Sequence, residues 1–73
     1  MNDREQLLYM QARLSRIASE KWRKPLAYVI EVFSQYKVLE YIEDCFELFH
    51  VQGDEANFDD VACYLRRKGA HLC

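Results

Sequence analysis

No stretch of this chain is long and apolar enough to cross a bilayer. The longest uncharged apolar run, Leu26 to Ile30, falls far short of the roughly 20 residues that a spanning helix needs. The N-terminus, MNDREQ, is charged and polar and lacks the apolar core of a secretory signal. The three cysteines, Cys45, Cys63 and Cys73, are odd in number and form no CxxC pair. Cys45 and Cys63 sit inside apolar patterns, where cysteine acts as a small hydrophobe, so all three are expected to be reduced thiols of a cytoplasmic protein. No block of like charge marks a disordered tail. Nor is there a basic excess. Ten lysines and arginines stand against twelve acids, a net charge of −2, which argues against nucleic acid as the main partner. Strand-like alternation, internal repeats and low-complexity tracts are all missing.

What is there is apolar and aromatic. Hydrophobic residues make up 51% of the 73 and aromatics 14%, enough for one small domain over residues 1–73 to fold without metal or disulfide. A chain of this size buries only about 60% of its unfolded surface, so apolar surface is left over for a partner. The periodicity predicts an all-α, compact bundle of about four short helices. The first spans about 4–20, with Asp3 as cap, Gln6 as its capping-box partner and Leu7, Met10, Leu14 and Ile17 on its inner face. Lys21 to Lys24 reads as a connector. The second, about 25–35, starts on Pro25 and is apolar on most sides through Leu26, Val29, Ile30, Val32 and Phe33. Such a helix is either central or pressed against another subunit.

The third helix, about 38–49, separates into two faces. Val38, Leu39, Tyr41, Ile42, Cys45, Phe46, Leu48 and Phe49 fall on one half, and Glu40, Glu43, Asp44 and Glu47 on the other. His50 to Ala56 reads as a loop in which Gly53 supplies a left-handed turn. The fourth helix starts on Asn57 as cap, carries Val61, Ala62, Tyr64 and Leu65 inward, places Arg66, Arg67 and Lys68 in its last turn and stops at Gly69. Ala70 to Cys73 is expected to be frayed.

Five constellations bear on function. Glu40, Glu43, Asp44 and Glu47 repel one another at spacings of three and four, with no cation inside that helix to offset them. They form either a solvated face answered by arginines elsewhere or a docking surface for a basic partner. His50, with Gln52 and Gly53, stands where a histidine can serve a helix end, and no nucleophile shares its face. Cys45, His50, Cys63, His71 and Cys73 lack the close pairs of a zinc site, since only His71 and Cys73 are near each other. Lys21 to Lys24 with Trp22, and Arg66 to Lys68, suit phosphate contacts, but the acidic third helix would repel a phosphate backbone. Ten aromatics are more than so small a domain buries easily, and Tyr28, Tyr36 and Tyr41 are expected to be exposed anchors of an interface.

The run VLEYIEDCFELFHVQGDEANFDDVACYLRRKG, Val38 to Gly69, resembles a family of small bacterial proteins catalogued as domain of unknown function 3791. The matching positions are Tyr41-Ile42, Phe46, the stretch Phe49-His50-Val51-Gln52-Gly53, the acids Asp59 and Asp60, and Tyr64-Leu65. Phe49 stands where the family has leucine and Val51 where it has threonine, which removes a hydroxyl. The resemblance implies a small accessory protein. It also implies an antitoxin-like or modulator role beside a neighbour-encoded ADP-ribosyltransferase-like protein.

The residues and the resemblance together lead to one expectation: a non-catalytic protein–protein interaction module, not an enzyme, with no cofactor and no metal. It would self-associate through its second helix and dock a protein partner through Glu40, Glu43, Asp44, Glu47 and the three tyrosines. A small helical nucleic-acid-binding regulator is the alternative. A catalytic or metal site built on His50 ranks third.

Overall fold

The computed structural model describes residues 2–70. Among them the chain forms α1 (Asp3–Trp22), α2 (Leu26–Gln35), α3 (Val38–Asp44), α4 (Phe46–Val51) and α5 (Asp54–Arg67), with no strand. The all-α bundle expected from the periodicity is what the chain forms, with five helices where four were expected.

Asn2, not Asp3, caps α1: its side-chain oxygen accepts the Glu5 N–H at 2.8 Å. The helix runs through the stretch read as a connector and ends on Arg23, which takes the left-handed conformation at φ 54°. The Arg23 N–H donates to the Glu20 carbonyl and the Lys24 N–H to the Ser19 carbonyl, so two carbonyls at the helix end find donors. Pro25 follows as the N-cap of α2 rather than its first residue. Lacking an N–H and disfavouring helix at Lys24, it cannot prolong α1. Its carbonyl accepts from Tyr28 and Val29.

Inclusion of Trp22 in α1 changes its role. The indole is half-buried and meets Phe33 edge-on at 6.2 Å and Phe58 at 6.0 Å, so one ring joins α1, α2 and α5. The core beneath it draws Leu14 and Ala18 from α1, Val29 and Phe33 from α2, Val38 and Ile42 from α3, Phe49 from α4, and Phe58, Val61, Ala62 and Leu65 from α5. Within each helix these residues recur at steps of three and four, the spacing of one helical face.

The expected turn at Gln35 to Lys37 is present, with Lys37 left-handed at φ 57°. The third predicted helix is divided. Cys45 sits at φ −100° and ψ 14° and turns the axis between α3 and α4. The Cys45 N–H still reaches the Tyr41 carbonyl at 3.0 Å, and the Cys45 carbonyl still accepts from Phe49 at 2.8 Å. The polypeptide therefore bends without losing these bonds, and the apolar pattern runs straight through the bend.

Ala70 is not frayed: its N–H donates to the Leu65 carbonyl at 3.0 Å, after Gly69 turns the chain at φ 90°, a conformation that glycine adopts without steric cost. The rest of the expected frayed end, residues 71–73, lies outside the described residues.

Candidate functional site

The stretch read as a loop from His50 to Ala56 is mostly helix. His50 and Val51 finish α4, and α5 begins at Asp54, leaving Gln52 and Gly53 as the connector. Gly53 is the N-cap of α5 at φ −78° and is not left-handed. Its carbonyl accepts the Asn57 N–H at 3.0 Å.

Asn57 is not a cap. It lies in the first turns of α5 with its side chain buried. There its amide donates to the Phe49 carbonyl at 2.9 Å and so satisfies a backbone acceptor near the end of α4. The Gln52 amide in turn donates to Asn57 Oδ1 at 2.8 Å and to Asp60 Oδ2 at 3.3 Å. Gln52, Asn57 and Asp60 thus lock α4 to α5 at a fixed angle. The sequence does carry a signal for this, because Asn57, Phe58, Val61, Ala62 and Leu65 share one helical stripe, and a polar residue on such a stripe is buried with a partner.

Tyr41 holds the other side of this corner. Its ring stacks on Tyr64 with centroids 4.1 Å apart and meets Phe49 edge-on at 5.9 Å. The Tyr64 hydroxyl donates to the Tyr36 carbonyl at 2.8 Å, which ties α5 to the turn before α3. Burial first, and then the nearby Cys45 thiol and Asp60 carboxylate, push the Tyr41 phenol up to about 12 against the opposing effect of Arg67.

The family described as Protein of unknown function (DUF3791) matches residues 14–68. The chain belongs to this family. No curated protein and no solved structure matches it significantly. The positions that carried the resemblance now have physical roles. Ile42, Phe49 and Leu65 are core, Tyr41 and Tyr64 are the stacked pair, and Gln52 and Asp60 belong to the α4–α5 lock. His50, Val51 and Asp59 are the exceptions, since all three are exposed.

His50 lies against the Phe46 ring at 5.5 Å and borders a shallow groove of about 180 Å³ between α1 and the α4–α5 corner. Tyr9, Met10, Phe49 and Asn57 line it further, and the paired Arg13 and Asp54 stand at its rim. Of the residues considered for zinc, His71 and Cys73 lie outside the described residues. Among the described residues no three His, Cys, Asp or Glu side chains come together as a metal site.

The interface residues divide into two groups. Glu40, Glu43, Asp44 and Glu47 are all exposed. The ion pairs found among the described residues join Arg13 to Asp54 and Lys21 to Glu55, both across α1 and α5, and neither uses an acid of α3 or α4. The arginines expected to answer this face from other helices therefore form no ion pair with it. Tyr28, Tyr36 and Tyr41 are not exposed anchors: all three are half-buried and packed against the core. Tyr41 is drawn inward by its stack on Tyr64 of α5, and Tyr64 also bonds the backbone carbonyl of Tyr36. The exposed aromatic is Tyr9 at 56%.

Proposed function

We propose that this protein is a non-catalytic protein–protein interaction module. The observation that carries the reading is its apolar surplus. Among the described residues, seven large apolar side chains are between 40% and 80% exposed, against a core of eleven buried hydrophobics. Exposed apolar groups scattered singly are ordinary, but here they recur along helix faces. On α2, Leu26 and Ile30 lie one turn apart and outside the core, and this is the surface proposed for self-association.

The exposed acids of α3 and α4 add a second, charged surface. Carboxylates left without ion pairs steer and orient a positively charged partner. The four exposed carboxylates would repel a phosphate backbone, which supports a protein partner. No described helix is long and apolar enough to cross a membrane, and the free thiols of Cys45 and Cys63 go with a cytoplasmic location. An accessory or antitoxin-like role beside a neighbour-encoded ADP-ribosyltransferase-like protein is the first pairing to test.

The test combines crosslinked affinity capture from the native host with light-scattering mass measurement across concentrations. The expected result is a stoichiometric complex, and a mass that grows with concentration in the native chain but not in the Leu26→Ser, Ile30→Ser double variant. A chain that stays monomeric and captures nothing in stoichiometric amount overturns the reading.

A further inference from the structure

The face that the α3–α4 segment turns to solvent is more than a row of acids. Leu48 is 51% exposed and Val51 80% exposed. Neither behaves as its place in the sequence suggests, since Leu48 reads as an inner residue of one helix and Val51 as part of a loop. Their helical spacing explains the outcome. Glu40, Asp44 and Leu48 follow one another at steps of four, and so do Glu43, Glu47 and Val51. The buried side of the same segment is taken by Ile42 and Phe49. All six stay exposed on either side of the bend at Cys45, so the outer side of α3 carries Glu40, Glu43 and Asp44 and that of α4 carries Glu47, Leu48 and Val51.

The composition of this face states what complements it. Its aliphatic end gains by leaving water. Its acidic end carries charge that no ion pair within the described residues offsets. A neutral apolar partner would leave the acids desolvated and unmatched, and an acidic one would be repelled. We infer that this face docks a basic, amphipathic helix of a partner protein. Its lysines or arginines lie over Glu40, Glu43, Asp44 and Glu47, and its large aliphatic or aromatic residues cover Leu48 and Val51. This mode is the helix-against-helix recognition in which anchors recur at steps of three and four. The inference rests on the interaction-module reading and adds the surface and the chemistry of the partner.

The probe is a synthetic fourteen-residue amphipathic peptide with leucines on one face and lysines on the other, beside the same peptide with every lysine replaced by glutamate. Labelled peptide is titrated with the full chain and followed by fluorescence anisotropy. The contact is mapped by amide chemical-shift changes in the isotope-labelled protein. The expected result has four parts. The lysine peptide binds and the glutamate peptide does not. Shift changes fall on residues 39–51. Raising salt from low to high weakens binding by about tenfold or more. The Leu48→Ser, Val51→Ser double variant, which removes no buried side chain and keeps all four acids, also weakens it by about tenfold.

Binding that survives the double variant unchanged overturns the proposal, because charge alone would then be attracting the peptide. Shift changes centred on α2, or no binding at all, overturn it as well. A partner captured from the host that contacts another face sinks this inference and leaves the interaction-module reading standing. Failure of every capture sinks both.

Discussion

At the scale of single residues, Asn57 does most to hold the corner where the family motif lies. Replacing it with alanine removes the donor to the buried Phe49 carbonyl and the acceptor for Gln52. The expected loss is about 1–3 kcal/mol, read as a lower urea midpoint with an unchanged slope. Gln52→Ala touches only the partly buried outer bonds and is expected to cost less, about 1 kcal/mol. Tyr41 supplies a pH test. Its phenol is raised from 10.0 to about 12 in the fold, so the unfolded chain ionises first as pH climbs. The stability associated with the neutral phenol is complete below pH 10 and is lost as pH rises through about 12. Ultraviolet titration should show a late tyrosinate step near that value, missing in Tyr41→Phe. If both chains titrate alike, the packing of Tyr41 against Tyr64 is wrong.

At the scale of elements, two junctions use a residue type that the backbone disfavours. Arg23 and Lys37 are both left-handed, a conformation that costs a residue with a Cβ roughly 1–2 kcal/mol. Glycine removes that cost but adds about 0.4–1 kcal/mol of unfolded-chain entropy. Arg23→Gly and Lys37→Gly are each expected to stabilise the domain by about 0.5 kcal/mol, measured as a small rise in Tm. The ends of α1 and α2 were placed within a few residues by the apolar spacing. The break at Cys45 was invisible because the apolar steps continue across it and no glycine or proline marks it. The start of α5 was misplaced for a related reason: Asn57 is a favourable capping residue, but the chain uses it inside the helix, where Phe49 offers a carbonyl to satisfy.

At the scale of the whole molecule, Trp22 couples three helices across a core of eleven buried hydrophobics. Trp22→Ala removes both ring contacts at once. Because the indole is only half-buried, the expected cost is near the lower end of large aromatic truncations, about 3 kcal/mol. A domain this small has a margin of only about that size. Circular dichroism should therefore show much of the helix lost at 37 °C, whereas Tyr9→Ala, on the exposed surface, should leave the spectrum intact. The same economy of size explains the surface. A fold of this size buries a smaller share of its apolar surface than a large one, and Leu26, Ile30, Leu48 and Val51 stay exposed.

Sequence alone determined the class of object: helical, small, free of membrane spans among its described residues, and recognisable from the spacing of Tyr41-Ile42, His50-Val51-Gln52-Gly53 and Tyr64-Leu65 as a member of its family. Those features are local, set by residues within one or two helical turns of each other. Sequence also placed the acids of α3 and α4 on the outside, because four carboxylates on one arc have no other affordable position. Tertiary structure decided what depends on partners distant in the chain. It stacked Tyr41 on Tyr64 of α5, brought Trp22 onto Phe33 and Phe58, and made Asn57 a buried lock where a cap was expected. It also left Leu48 and Val51 in water, because the core takes Phe49 and they lie on other sides of the same helix.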